Sequence, residues 1–452
     1  MKINLQLLLI SLTAIVLFKC DSNDSEDPQP PPIELSFAEG YPRIGSYTQN
    51  SGRVSVKVNK ESTVFFIVQS NSIPNPTPEQ VKNGTDGNNG TPVDIGQINA
   101  EADKEMVLEF DNLTLYDDHI VAITVSDGES EISEILILEN KLTIAVEQAK
   151  ELPHLYTLIV NIENEIIKEE YLNGQTMTDP QDVRSVTKGI LALLCGQAID
   201  EGYFTLETTL GEFLPAQYLD GLEQAKKDIT VRDLLTMSSG LAYKENEFAA
   251  WTQVEDEIVA LLSRDLISEP GTTFDYSTPN LQMLSVIFQE ATGQTIYDYA
   301  KENLFSPLGI TNSNWIPFET GYYLAGGFSF IPARGMMNIG LMVKNGGVFD
   351  NQQIVPKEFI DEMLTPQFNF SSYLNTGPDA ESKWFGYLWW DIKMAGLDGY
   401  MTAGYGGQNI IVFPEKDLVI TTSSVATVNG TTADQQQRDN WSAIAAIVES
   451  LN

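Results

Sequence analysis

Residues 184–195 read Arg184-Ser185-Val186-Thr187-Lys188-Gly189-Ile190-Leu191-Ala192-Leu193-Leu194-Cys195, a Ser-x-x-Lys tetrapeptide that opens an apolar run. The run continues to Ile199 and stops at Gly202, and because it is apolar on nearly all sides it predicts a buried helix. Positions i and i+3 share a helix face, so Ser185 and Lys188 are expected to lie one above the other. The serine lies at the positive end of the helix dipole, and partial desolvation of the lysine favours its neutral form. The stretch predicts a serine nucleophile activated by lysine.

A plain helix start is the alternative interpretation, because Ser-x-x-Lys also arises by chance. The number of histidines helps to decide between the two interpretations. The chain has only two histidines, His119 and His154. A Ser-His-Asp hydrolase needs a histidine base near its serine, and the sequence has no Gly-x-Ser-x-Gly elbow. Both histidines are predicted to be structural. A hydrolase built on this chain must therefore move protons with lysine and tyrosine.

Composition limits the classes of function. A chain of 452 residues has room for two domains, and an apolar fraction of 42% is enough for packed cores. The net charge of -37 argues against binding to nucleic acid or to an anionic membrane surface. Two histidines and two cysteines are too few for the usual zinc sites, so no metal is predicted. The sequence implies no organic cofactor either.

The N-terminus is typical of a targeting segment. A basic start at Lys2 and an apolar run from Leu5 to Phe18 end at Cys20, which resembles a bacterial lipoprotein signal over residues 1–20 with Cys20 as the lipidated residue. Residues 21–32, acidic and then proline-rich, indicate an extended tether. We expect a lipid-anchored protein at the outer membrane or cell surface. The alternative is a cleaved signal and a periplasmic or secreted protein.

Residues 33–141 form the first predicted domain. Short strands with alternating apolar residues are separated by Asn-Gly and Asp-Gly turns, which favours an all-β sandwich. The segments 74–81 and 112–116 resemble fibronectin type III-like modules. We interpret the domain as a spacer or docking module. A carbohydrate-binding module is the alternative.

Residues 142–452 change to mixed α and β character and predict an α+β domain. A hairpin is expected over 155–171, and Thr230-Val231-Arg232-Asp233 is typical of a capping box that opens a helix through Met237. Further helices are expected over 280–292 and 439–451, with late strands at 410–413 and 418–422.

Four segments of this domain follow one another in an order known from one family: Ser185-Val186-Thr187-Lys188, Ile229-Thr230-Val231-Arg232-Asp233-Leu234-Leu235-Thr236-Met237-Ser238-Ser239-Gly240, Tyr276-Ser277-Thr278, and Thr402-Ala403-Gly404 before Tyr405. They resemble the motifs of the serine β-lactamase-like family, which comprises class C β-lactamases, DD-peptidases and related esterases and amide hydrolases. The resemblance covers essentially the whole second domain. It implies a β-lactamase/transpeptidase-like catalytic domain after the all-β module.

The resemblance also implies roles for individual residues. Ser185 is the nucleophile, Lys188 its partner and Tyr276 a proton shuttle, and the backbone N–H groups of Ser185 and Tyr405 form the oxyanion hole. Thr402 and Gly404 fall in the substrate-binding motif. The implied mechanism is acylation of Ser185, followed by hydrolysis of the acyl-enzyme by water.

Departures from the family pattern bear on the substrate. Thr278 replaces an asparagine, although Asn280 follows two residues later, and Thr402 replaces the lysine or histidine that helps to hold a substrate carboxylate. Gly335 stands where relatives often carry aspartate. We therefore expect an esterase or amidase acting on a small ester or amide, with weak or no β-lactamase activity. The alternatives are a catalytically silent envelope- or glycan-binding protein and a DD-peptidase.

Overall fold

The structure, a computed structural model, describes residues 33–47, 50–114, 116–370 and 379–451. Backbone contacts separate two units: one extends to Leu113 and includes Ile120–Ile137, and the other combines Thr114–His119 with the chain from Leu138 onward. Cys20, the predicted signal segment 1–20 and the tether 21–32 lie outside the described residues. The lipid anchor therefore stays a prediction.

The first unit contains two sheets, ordered β1-β2-β5 and β4-β3-β6-β7. Alternation along β2, in which Val54 and Val56 are fully buried while Arg53 is exposed, gives this strand one core face. A helix, α1, begins after a capping box formed by Thr77 and Gln80, which was not predicted within this module. The elements are β1 Arg43–Tyr47, β2 Gly52–Val56, β3 Ser62–Ser70, α1 Pro78–Asn83, β4 Asp94–Ala100, β5 Met106–Phe110, β6 His119–Ser126 and β7 Glu131–Leu138.

The second unit is built around a nine-stranded antiparallel sheet in the order β15-β17-β18-β19-β20-β21-β8-β9, with β16 beside β18. Its strands are β8 Leu155–Ile162, β9 Glu165–Tyr171, β10 Pro180–Asp182, β11 Asn314–Trp315, β12 Ser329–Pro332, β13 Val348–Phe349, β14 Gln352–Gln353, β15 Phe368–Asn369, β16 Ala380–Glu381, β17 Trp384–Phe385, β18 Trp390–Met394, β19 Leu397–Gly404, β20 Gln408–Phe413 and β21 Leu418–Ser424. Its α-helices are α2 Lys141–Lys150, α3 Val186–Asp200, α4 Leu210–Phe213, α5 Ala216–Leu219, α6 Gln224–Lys227, α7 Val231–Leu235, α8 Phe248–Trp251, α9 Glu257–Leu262, α10 Thr278–Thr292, α11 Ile296–Ala300, α12 Ala333–Lys344, α13 Lys357–Leu364 and α14 Gly430–Ser450.

Helices cover both faces of this sheet. Helix α3 packs on β19, where Gly189 lies against Thr402, and α12 packs on the same face, where it contacts Ile410, the register partner of Thr402. Helix α14 packs on the opposite face, where Gln437 donates to Asn409 at 2.9 Å. The buried helix predicted from residue 185 is α3, and every residue from Val186 to Ala198 is buried because sheet and helices enclose it.

Three predicted boundaries were wrong. Helix α14 begins at Gly430 and not at Asp439, because its polar first turns carry no apolar stripe in the sequence. Helix α7 ends at Leu235, since Met237 adopts a left-handed φ of 57° that a helix does not accommodate. Helix α10 begins at Thr278, with Ser277 as its N-cap, two residues earlier than predicted.

Gly335 has a physical explanation that the sequence did not supply. It is buried in the first turn of α12, and a Cβ there would lie 3.1 Å from the Cδ1 and Cγ1 atoms of Ile310. An aspartate carboxylate would be pressed into this apolar contact. Across the described ranges, no helix has the length and apolar character needed to cross a bilayer.

Candidate active site

Ser185 and Lys188 meet at the start of α3. Ser185 is the N-cap residue of α3, and the Lys188 ammonium donates to its Oγ at 2.7 Å. The Ser185 side chain makes no capping hydrogen bond to the helix backbone. One helical turn thus holds a partly exposed hydroxyl against a lysine nitrogen, as the i, i+3 spacing predicts.

Burial changes the proton affinity of Lys188. The side chain is 2% exposed, and its Nζ also donates to the Gly326 carbonyl at 2.8 Å. Desolvation lowers the pKa of Lys188 to about 8, against the opposing effect of the nearby negative charge of Glu245. At pH 7 about a tenth of Lys188 is therefore neutral and able to accept a proton, and this fraction grows as the pH rises through 8.

Arg184 prepares the backbone for the nucleophile. It adopts a left-handed φ of 53°, a conformation that is costly for a non-glycine residue. Asp182 holds it there, since Asp182 Oδ1 accepts the Arg184 N–H at 3.0 Å and Oδ2 lies 3.2 Å from the Arg184 Nε. The guanidinium also donates to the carbonyl of Ala426. Such strain directly before Ser185 is of the kind found at functional sites.

Tyr276 lies beside Lys188, just before α10. The Lys188 Nζ is 5.1 Å from the centre of the Tyr276 ring. Trp390, at the start of β18, stacks on the same ring with centroids 5.6 Å apart and planes at 27°. Trp390 was not identified from the sequence, because the spacing of residues more than one hundred positions apart gives no signal of such a contact.

The end of β19 also reaches this region. A Cβ on Gly404 would lie 2.3 Å from the carbonyl oxygen of Val183 and 2.9 Å from the Cβ of Arg184, so only glycine permits this approach to the Ser185 segment. Tyr405 follows directly; its side chain is 44% exposed, and its hydroxyl donates to the Gly430 carbonyl at 3.0 Å. The backbone roles assigned to Ser185 and Tyr405 stay predictions.

Thr402 lies on β19, against the helix that carries Lys188. Its side chain is 1% exposed and packs against Gly189 of α3. The structure therefore places a buried, neutral side chain at the position where the family carries a cation. Substrate binding by Thr402 and Gly404 stays a prediction.

Glu245 was missed by sequence reasoning. Its carboxylate accepts the Thr278 backbone N–H at 2.6 Å and the Thr278 hydroxyl at 2.8 Å, at the N-terminus of α10. Asn280 serves the fold, since its amide donates to the Leu241 carbonyl at 2.9 Å. Thr278, which stands where the family pattern has asparagine, is thus held by Glu245 through both its backbone and its side chain.

Neither histidine belongs to this site. The His154 Nε2 is hydrogen-bonded to Asn440 Oδ1 at 2.9 Å, and His119 is buried, which lowers the pKa of its imidazole. Among the residues that the structure describes, no group of three or more His, Cys, Asp or Glu side chains is arranged to hold a metal ion. The groups gathered around Ser185 are suited to acyl transfer by serine and lysine.

Comparisons with known proteins show what this chain is similar to. The family model described as Beta-lactamase matches residues 176–449, more than half of the chain. Lovastatin esterase of Penicillium rubens is 28% identical over 165 residues, which cover 32% of this chain and 41% of that protein. The 6-aminohexanoate-dimer hydrolase of Paenarthrobacter ureafaciens is 23% identical over 283 residues, 57% of this chain and 69% of that protein. This chain thus spans less than half the length of the esterase.

Solved structures show the same fold. A putative 6-aminohexanoate-dimer hydrolase from Bacillus anthracis superposes with a TM-score of 0.55 at 18% identity, over 67% of this chain and 82% of that one. The predicted β-lactamase/transpeptidase-like fold with mixed α and β content is thereby confirmed, and the N-terminal sheet-rich region is present.

Proposed function

The chain belongs to the Beta-lactamase family, and on this premise we propose that it is a serine hydrolase that cleaves small esters or amides through an acyl-enzyme. The observation that supports this proposal most directly is the 2.7 Å hydrogen bond between the buried Lys188 Nζ and Ser185 Oγ. An ammonium kept out of water gives up its proton more readily, and a neutral lysine at that distance can take the serine proton. The esterase and hydrolase relatives support this class of reaction.

The proposed reaction proceeds in two steps. Ser185 Oγ bonds to the substrate carbonyl carbon as the serine proton passes to Lys188. The resulting oxyanion accepts hydrogen bonds from the backbone N–H groups of Ser185 and Tyr405. The proton then passes through Tyr276 to the leaving alcohol or amine as the ester or amide bond breaks. Water attacks the acyl-Ser185 ester by the reverse route and releases the acid.

Covalent labelling tests this proposal directly. A fluorophosphonate reacts with activated serines, and we expect one adduct per chain, on the peptide that contains Ser185. Hydrolysis of p-nitrophenyl acetate and butyrate should accompany it. A folded protein that neither labels nor hydrolyses these esters would contradict the proposal and favour the silent binding protein.

The neutral residue at position 402 leads us to expect a preference for uncharged acyl groups over those that carry a carboxylate. p-Nitrophenyl butyrate and p-nitrophenyl hemisuccinate have acyl chains of equal length, but only the second ends in a carboxylate. Without a cation to form a charge-assisted hydrogen bond, we expect kcat/KM to be about 10- to 100-fold higher for the butyrate. Equal rates on both esters, or nitrocefin turnover at a rate typical of enzymes, would show that the site does accept carboxylates. Nitrocefin turnover would support the β-lactamase alternative, and equal rates on the two esters would remove the argument against a DD-peptidase.

Substitution of Gly326 tests how closely the rate depends on the position of the Lys188 ammonium. A Cβ at this position would lie 2.8 Å from Thr278 Cγ2 and 3.0 Å from Lys188 Cε, so Gly326→Ala should displace the ammonium from Ser185. A misplacement of about 1 Å costs on the order of 10²-fold in rate, and we expect the labelling rate of Ser185 to fall accordingly. Gly327→Ala is the matched control, because its Cβ would meet only Leu324 Cδ2, at 3.2 Å. Equal effects of the two substitutions would contradict this role.

A further inference from the structure

Glu245 joins two parts of the site that are distant in sequence. It lies in a short 3-10 turn, Glu245–Glu247, and both of its carboxylate oxygens accept hydrogen bonds from Thr278. Thr278 is the first residue of α10, two positions after Tyr276. A carboxylate at the N-terminus of this 15-residue helix also interacts favourably with the helix dipole. Glu245 thus fixes the backbone that carries Tyr276.

The same carboxylate acts on Lys188. Thr278 Cγ2 and Lys188 Nζ both lie within 3.1 Å of the position that a Cβ on Gly326 would take, so Thr278 brings its bound Glu245 close to the lysine. Burial lowers the pKa of Lys188, and the negative charge of Glu245 raises it. Among the described residues, the groups that face Lys188 include the Ser185 hydroxyl on its own helix, the Tyr276 ring before α10 and the Glu245 carboxylate in the 3-10 turn.

We propose that Glu245 is a positioning residue of the acyl-transfer site, which holds the Tyr276 segment and supplies the negative charge that balances the lysinium formed in acylation. The inference rests on the proposed function. In that step the Ser185 O–H bond breaks and the Oγ–carbon bond forms, and the proton gained by Lys188 leaves again with the departing alcohol or amine. Thr278 cannot replace this charge, because it is neutral.

The sharpest test is Glu245→Gln, with Glu247→Gln as the matched control. Glutamine keeps the size of the side chain, an acceptor for the Thr278 N–H and a donor for its hydroxyl, but removes the charge. Glu247 lies in the same turn, where it pairs with Arg264 at 2.9 Å. The rate of fluorophosphonate labelling of Ser185 is measured from pH 5 to 10 for the wild type and both variants.

We expect the acidic limb of the Glu245→Gln profile to move to lower pH, because Lys188 loses its stabilising charge and its pKa falls. The plateau rate should drop by about tenfold, since the lysine becomes a weaker base and the lysinium loses its counter-charge. Glu247→Gln should follow the wild type. A Glu245→Gln profile that is only scaled down, with the limb unmoved, would leave Glu245 a purely structural role and overturn the proposal.

Thermal unfolding between pH 7 and 10.5 provides a readout that needs no catalysis. A buried lysine with a lowered pKa gains stability as the pH rises, and in Glu245→Gln this gain should begin at lower pH than in Glu247→Gln. A wild type whose Ser185 is never labelled would contradict the proposed function alone, and the unfolding profiles would then decide the role of Glu245. Coincident unfolding profiles for Glu245→Gln and Glu247→Gln would overturn the proposed role of Glu245.

Discussion

Replacing Ser185 by alanine should abolish ester hydrolysis, with kcat/KM falling by at least about 10⁴-fold, because the substitution removes the oxygen that forms the acyl-enzyme in the proposed reaction. The Lys188 Nζ then has no hydroxyl at 2.7 Å from which to take a proton. Initial rates with p-nitrophenyl butyrate and the intact mass after fluorophosphonate treatment measure the loss. The adduct should be absent.

The fold should survive this substitution. N-cap serines usually contribute about 1 kcal/mol through a side-chain bond to the helix backbone, but Ser185 makes no such bond. The control is Ser263→Ala, an exposed serine whose hydroxyl donates to the Ala260 carbonyl at 2.8 Å. It should retain wild-type rates and labelling. An alanine variant at 185 that still forms the adduct would show that another residue is the nucleophile.

The sequence predicted the features of the site that are local. Ser185 and Lys188 are three residues apart on one helix, so helix geometry alone brings them together, and the apolar run indicates the burial that lowers the pKa of Lys188. The hairpin β8–β9 and the capping box at Thr230 were likewise predicted from local patterns, and both are confirmed. Tyr276 came from the order of motifs, since no local pattern marks one tyrosine among seventeen.

Features that depend on long-range contacts were not predicted. Glu245 is one of 63 acidic residues, and nothing in its neighbourhood of the sequence distinguishes it from the others. Gly326 matters because its carbonyl accepts a hydrogen bond from Lys188, 138 positions away in the sequence, and because a Cβ there would meet both Thr278 and Lys188. The burial of Thr402 against Gly189 is equally a product of packing between β19 and α3. Only the three-dimensional arrangement identifies these residues.

Lys188→Met should separate catalysis from stability. Methionine has about the length of lysine and fills the same apolar site, but it cannot accept a proton. Loss of a general base typically costs about 10²- to 10⁴-fold in rate, and we expect a fall in kcat/KM of this size. Lys226→Met is the control, because Lys226 is also buried but donates to the Leu262 carbonyl at 3.0 Å, away from Ser185. It should leave ester hydrolysis unchanged.

The same substitution should stabilise the protein at neutral pH. A fall of the Lys188 pKa from 10.5 to about 8 on folding corresponds to about 3 kcal/mol of unfavourable burial of its charged form. The net gain is smaller, because methionine loses the hydrogen bonds to Ser185 and the Gly326 carbonyl, at about 1 kcal/mol each. Urea unfolding of the wild type and the variant at pH 7 measures this difference.

The pH dependence identifies the cause. Between about pH 8 and 10.5 the folded wild type binds fewer protons than the unfolded chain, so its stability rises with pH and the penalty from Lys188 disappears. The advantage of Lys188→Met should therefore be greatest below pH 8 and shrink toward pH 10.5. A difference that stays constant with pH would show that packing is responsible, and not the buried charge. A diminishing one would mean that the base which activates Ser185 is maintained at a cost in stability, as expected where a site is selected for reactivity.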